Sequence, residues 1–300
     1  MAVNMKFIIN ADDFGNSKSI SDNILKSFTG ALSSTSLIPN GHAFNYAINE
    51  FKKLHNVRLS IHTNLLEGQP LTPPDKVDLL VNDKGDFCHS FVSIFMAYYL
   101  SNRKKRTQLK KQIKTEISAQ LKRVRDSLPP GTPLNIDSHQ HFHMIPFIFK
   151  LIIEMKDEYN IKYIRIPKEK LFFNFKDKAS ILNYVGPNII KHFLLNFLSN
   201  ICIHYLSGTG ICYPDYFVGV LFTGNMSISA IQKSLLVMRN DKNAVVEILL
   251  HPGGASANEA YLWNNYPNLR NYYLSPSRQC EQAVLQSKEL LSLLREYGED

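Results

Sequence analysis

The sequence predicts an α/β fold with mostly parallel strands, an irregular (β/α) barrel whose active site lies at the carboxyl ends of the strands. Two observations carry that expectation. Short apolar runs alternate with amphipathic helical stretches along the chain, the pattern of parallel strands joined by helical crossovers. Reactive residues recur at or just past the ends of those runs: Asp12 and Asp13, His62, Asp137 and His139, Arg165, and His251. Parallel α/β folds build their sites where strands end, and core packing alone does not put polar chemistry at five strand ends.

Met5 to Asn10 reads as a buried strand that runs into Ala11-Asp12-Asp13-Phe14-Gly15. A cap or turn needs one carboxylate, so two adjacent aspartates suggest one ligand and one base. Neighbours on an extended strand point apart, so a turn is required to bring both to one site. A helix follows, with Ser19 or Ser21 as its N-cap. Ser33 to Gly41 reads as a second strand and turn, and Ala43 to Leu54 as a helix. Val57 to Ile61 is a third strand, ending at His62-Thr63-Asn64-Leu65. Pro70, Pro73 and Pro74 make residues 66–90 a long loop. Phe91 to Leu128 is helical, broken around Ser101-Asn102, and Pro129-Pro130-Gly131 ends it.

Leu134 and Ile136 then lead into Asp137-Ser138-His139-Gln140-His141-Phe142-His143. On an extended backbone Asp137, His139, His141 and His143 share one face; in a helix starting after Ser138, His139 and His143 still do. Imidazole is the usual nitrogen ligand for zinc and similar divalent ions. Phe147 to Tyr159 is helical behind Pro146. Tyr163 to Pro167 is a strand carrying Arg165. Residues 170–213 read as helical, apolar and aromatic, and Asp215 to Val220 as a short strand. Ile228 to Arg239 is a helix, Ala244 to Leu250 a strong strand ending at His251-Pro252-Gly253, and Ser275 to Tyr297 a closing amphipathic helix.

No repeat or Gly/Ser linker divides the 300 residues, so residues 1–300 are expected to be a single domain with a helical insertion near 170–213. Four scattered cysteines without a CxxC pair fit reduced thiols and a cytoplasmic location. Phe7-Ile8-Ile9 is too short for a signal segment. Asn188 to Leu206 is interrupted by Lys191, His192 and His204 and is a poor membrane span. Much of the net charge of +8 lies between Arg103 and Arg125. It reads as a solvated helix face over Ile113, Ile117, Leu121 and Val124, and no specific nucleic-acid partner is expected. Phe172, Phe173, Phe175, Tyr213, Tyr216 and Phe217 read as core before sugar-stacking surface.

Five blocks together resemble the YdjC-like carbohydrate deacetylases, the family with chito-oligosaccharide deacetylases and a hopanoid-biosynthesis branch. They are Asn10-Ala11-Asp12-Asp13-Phe14-Gly15, His62-Thr63-Asn64-Leu65, Asp137 to His143, Arg165-Ile166-Pro167 and His251-Pro252-Gly253. The resemblance implies an irregular (β/α) barrel and hydrolytic removal of an N-acetyl group from an amino sugar. It also implies one divalent metal ion, magnesium or zinc, held by Asp13, His62 and His139, with Asp12 as the base. His251, on a far strand, is the candidate general acid, because imidazole titrates near neutral pH. Arg165 suits the substrate or the Asp12 carboxylate. Asn64, Asp137, His141 and His143 are expected to support the ligands or touch substrate, since further ligands would close the open coordination position. A homodimer is compatible with this class of barrel. The competing enzyme reading is a phosphoesterase, which commonly uses two metals about 3.5–4 Å apart. A protein binding nucleic acid or membranes through its basic face leaves the strand-end residues without a purpose.

Overall fold

The computed structural model of the chain describes residues 4–175 and 178–298. Seven parallel strands form one curled sheet: β1 (Lys6–Phe14), β2 (Ser34–Leu37), β3 (Arg58–Thr63), β4 (Leu134–Ser138), β5 (Ile161–Ile164), β6 (Tyr216–Val218) and β7 (Val245–Leu250). Their spatial order is β5-β4-β3-β2-β1-β7-β6. The two edges of the sheet are brought together by parallel pairing of Tyr163 with Cys212 and by Phe217 N donating to Lys168 O at 2.9 Å. The fold is therefore the expected α/β arrangement, a curled half-barrel with parallel strands.

Helices join and cover the strands. They are α1 (Lys18–Ser27), α2 (Phe44–Phe51), α3 (Phe91–Tyr99), α4 (Arg103–Arg125), α5 (Pro146–Glu154), α6 (Lys178–Leu182), α7 (Pro187–Leu206), α8 (Ile228–Leu236), α9 (Pro267–Tyr273), α10 (Ser277–Gln286) and α11 (Lys288–Tyr297). The outer faces of the strands are apolar: Ile9, Ala11, Ile61, Ile136, Ile164 and Ile248 are all buried. On α4, Ile113, Ile117, Leu121 and Val124 face the core and the lysines face solvent, as the sequence predicts. Asn102 caps that helix and supplies the break from α3.

The remaining differences from expectation have local causes. The N-cap of α1 is Ser17, whose hydroxyl accepts from Ile20 N, because Lys18 already has helical geometry. β1 continues to Phe14 and β3 to Thr63, so Asp12, Asp13 and His62 lie within their strands. The stretch 170–213 is not helical throughout. Residues 165–175 are irregular, with Arg165 N donating to Ile136 O, Lys168 O accepting from Phe217 N and Asn174 N donating to the Tyr184 hydroxyl; α6 and α7 supply the helix, and 176–177 lie outside the described residues. The closing helix divides at Ser287, whose hydroxyl caps α11. Between β7 and α10 lie a 3-10 segment, Ala257–Trp263, and α9, which begins at Pro267; Gly and Pro punctuation obscures both in the sequence.

Candidate active site

The half-barrel encloses a polar network where such barrels commonly pack branched apolar layers. Alternate residues along the strands point inward, and they bond one another across strands. Arg165, just past β5, is fully buried. It donates to both oxygens of Asp12 on β1 (2.9 Å each) and through Nε to Glu247 on β7 (2.6 Å). It also approaches Asp137 Oδ2 on β4 at 2.9 Å. Asn10 Nδ2 donates to Asp12 at 2.7 Å and to Ser36 at 2.9 Å, and Ser36 donates to Asp137 at 2.6 Å. One guanidinium thus ties four strands together, and the planar fork matches the Asp12 carboxylate. Burial pushes the Asp12 carboxyl up, but Arg165 and His62 beside it outweigh this and hold it well below the usual range.

Asp12 and Asp13 reach the same cavity because β1 is irregular between Ala11 and Phe14, with Asp13 at φ +73°. This is the turn that two adjacent carboxylates require. Asp13 Oδ2 accepts from Arg278 at 2.9 Å, while its Oδ1 lies 3.6 Å from His139 Nδ1. Burial opposes charge on Asp13, and Arg278 then pulls its carboxyl well below the normal value. His62 is oriented from behind: its Nδ1 lies 2.6 Å from Asp137 Oδ1, which leaves Nε2 facing the cavity, 3.8 Å from Asp12 Oδ2. Burial lowers the His62 imidazole, but Asp12 and Asp137 raise it further, to about 8. The rings of His62 and His139 meet edge to face with centroids 5.7 Å apart.

One ligand atom from each of Asp13, His62 and His139 lies within 4.8 Å of the others. His139 Nε2 is buried and has no hydrogen-bond partner. The set fits a divalent cation: two imidazoles, one carboxylate whose second oxygen is already held, and anionic surroundings. A second grouping, Asp12, His62 and Asp137, is equally tight. It shares His62, however, and the Arg165 guanidinium already sits against both of its carboxylates, so a cation is in place on that side. The arrangement favours one ion over the pair a phosphoesterase site uses.

The other residues singled out in the sequence divide between site and scaffold. His139 starts a 3-10 turn in which Gln140 (φ +51°) and His141 (φ +57°) are left-handed, so neither the extended nor the helical expectation holds. Only His139 of the three histidines meets His62. His143 turns away: its Nδ1 pairs with Ser138 Oγ at 2.6 Å and its Nε2 with Arg165 O at 2.8 Å. Burial brings it down to about 4, so it is neutral and joins the ends of β4 and β5. His141 is half-buried, packed edge-on against Phe217 with centroids 5.6 Å apart, and its Nδ1 has no partner. Burial, then the Arg165 charge, holds it well below the usual imidazole value. Asn64 forms a turn: its Oδ1 accepts from Leu66 N and Glu67 N. His251 lies at the rim, with 12% of its side chain exposed. Its backbone N donates to Glu281 Oε2 at 2.6 Å and its ring meets Tyr272.

Sequence reasoning missed Glu67, Arg278 and Glu247. The Asn64 turn delivers Glu67 to the site, where its Oε1 accepts from Tyr273 at 2.6 Å and lies 3.7 Å from His139 Nε2. Its Oε2 is buried without a partner, and burial raises this carboxyl. Arg278 arrives from the first turn of α10 and is held by Gly253 O at 2.8 Å. No local pattern marks either residue, whereas Glu247 carried a signal: it is the one charge in an otherwise apolar strand.

A parallel half-barrel with a buried imidazole–carboxylate cluster at its strand ends is the class of α/β scaffold that carries its reactive groups at the strand carboxyl ends. Residues 6–296 match the YdjC-like protein family, and the chain belongs to that family. It is 25% identical to a carbohydrate deacetylase of Danio rerio over 98% of this chain and 96% of that protein. A carbohydrate deacetylase of Thermoanaerobacter pseudethanolicus is 26% identical, covering 97% of this chain and 95% of its own. A solved Enterococcus faecalis V583 protein, provisionally assigned to cellobiose-phosphate cleavage, superposes with a TM-score of 0.66 at 20% identity, covering 98% of this chain and 95% of its own, and supports the fold.

Proposed function

We propose that this chain is a metal-dependent carbohydrate N-deacetylase that hydrolyses the acetamide of an amino sugar. The observation that carries the reading is the convergence of Asp13, His62 and His139 beside Asp12 at the strand ends. Asp13, His62 and His139 would hold one divalent ion, and two imidazoles suit zinc by ligand type, with magnesium the alternative. When bound, that ion supplies a Lewis acid that polarises the acetyl carbonyl and acidifies water.

The chain's own residues do the rest. Asp12 stays ionised beside Arg165, the state required to take a proton from the attacking water. Its hydrogen bonds to Arg165 weaken it as a base and also fix its direction. Asp137 holds His62 in the tautomer that presents Nε2 to the cavity. His251, the more exposed imidazole, would protonate the departing amine, with Glu281 fixing its backbone. Glu67, close to His139 and unsatisfied at one oxygen, is a further carboxyl available to ligand or substrate.

The test is acetate release from N-acetylglucosamine oligosaccharides, comparing metal-loaded protein, chelated protein and Asp12→Ala. Release that needs metal and disappears in Asp12→Ala supports the reading. Absence of both release and bound metal would end it.

A further inference from the structure

Exposed apolar side chains collect in two segments of the chain. Of the 18 exposed large hydrophobic residues among those described, 14 lie in two segments, 92–100 and 171–197. The first follows β3 and the second follows β5, so both emerge from strand carboxyl ends. On α7, Ile190, Phe193, Leu194 and Phe197 repeat at i, i+3, i+4 and i+7, with exposures of 39–69%. On the opposite side of the same helix Leu195, Leu198, Cys202 and Leu206 are buried. A helix that needs only to cover a core keeps its outer face polar; this one is apolar on both. On α3, Val92, Met96 and Leu100 repeat at i, i+4 and i+8 and are at least half exposed.

The two helices are neighbours through α5. Tyr98 stacks on Phe147 with centroids 3.6 Å apart, and Lys150 lies over the Tyr205 ring at 4.3 Å. The surroundings carry positive charge. Exposed Arg103, Lys104 and Lys105 directly follow α3. The sequence contains no Asp or Glu between residues 87 and 115 or between 178 and 214. A second copy of the same face would bring these like charges together, and the nearby Glu154 on α5 is already paired with Lys110 and Lys114. An anionic lipid surface matches both the apolar stripes and their basic flank. α7 is long and apolar enough to cross a membrane, yet a third of it is buried against the protein, so it suits lying in an interface better than spanning one.

We propose that α3 and the outer stripe of α7 form a docking surface for an anionic bilayer, inserting at the headgroup boundary while residues 103–105 meet lipid phosphates. Docking would bring the carboxyl ends of the strands toward the lipid surface, whatever reaction occurs there.

The experiment is flotation of the full chain with phosphatidylglycerol-containing vesicles and with pure phosphatidylcholine vesicles, at low and high salt. The expected result is binding to the anionic vesicles that weakens with salt. Phe193→Ser combined with Phe197→Ser should weaken it about tenfold or more. Lys104→Glu combined with Lys105→Glu should weaken it roughly fivefold per lysine. These side chains are exposed, so melting temperature and acetate release from soluble sugars should be unchanged, which separates this test from that of the reaction. Failure of wild type to bind anionic vesicles at low salt would overturn the proposal, as would binding that the phenylalanine variants leave intact. A wild-type dimer that Phe193→Ser with Phe197→Ser converts to monomer, without vesicle binding, would assign the face to self-association instead.

Discussion

Asp137→Asn tests how the site is built. Asp137 receives three donors on two oxygens: His62 Nδ1 on Oδ1, and Ser36 Oγ and Arg165 Nη2 on Oδ2. An asparagine has one accepting oxygen and one NH2. Turning the NH2 toward Arg165 sets donor against a buried cation, which is the worse choice. The NH2 should therefore face His62, make its Nδ1 an acceptor and place the proton on Nε2, the nitrogen that faces the cavity. Loss of such a carboxylate partner typically weakens metal affinity about 10–100-fold, roughly 1.4–2.8 kcal/mol, and a forced wrong tautomer puts this variant at the upper end. The His62 pKa should also fall from about 8, because Asp137 is one of the three charges that raise it, with Asp12 and Asp13. Calorimetric titration with zinc and magnesium measures the first effect, and imidazole chemical shifts against pH measure the second. A folded Asp137→Asn protein that binds metal within threefold of wild type would refute the argument.

Three further outcomes are expected. His143→Ala removes two buried hydrogen bonds and leaves a cavity, so it should cost about 2–4 kcal/mol in denaturant melts; metal affinity should stay within threefold, and a selective loss of metal would contradict the scaffold role given to His143. Gly253 sits at φ +68°, and an added Cβ would lie 2.1 Å from Asn23 Cβ. Gly253→Ala should therefore destabilise by about 2–4 kcal/mol and loosen Arg278, which Gly253 O holds against Asp13, so both thermal stability and metal affinity fall together. Metal uptake should weaken as pH drops below about 8, by about tenfold per unit, because ligation must displace the His62 proton. Calorimetry in buffers of different ionisation enthalpy would count that proton, and affinity independent of pH between 6 and 8 would exclude His62 as a ligand.

Much of the site was legible in the chain because its residues are local to strand ends. Apolar runs fixed where strands lie, and Asp12, Asp13, His62, Asp137, His139, Arg165 and His251 stand out against them. The need for a turn at Asp12-Asp13 followed from strand periodicity alone, and φ +73° at Asp13 supplies it. Glu67 and Arg278 were not legible, because each is brought in by a turn or helix whose sequence carries no metal or catalytic pattern. The histidine run was ambiguous for a related reason: strand and helix both align His139 with His143, while two left-handed residues separate them. The pairing of Arg165 with Asp12 was anticipated, but that Asp137 and Glu247 share the same guanidinium was beyond local reasoning, since the three carboxylates come from three strands. The sequence by itself determined the chemical inventory and the strand-end placement, because both depend on short-range periodicity. Only the tertiary structure decided which imidazole faces the cavity, which serves the scaffold and which charges are paired, because those depend on strand order and on contacts between different strands, 75 positions apart for His62 with Asp137 and 153 for Arg165 with Asp12.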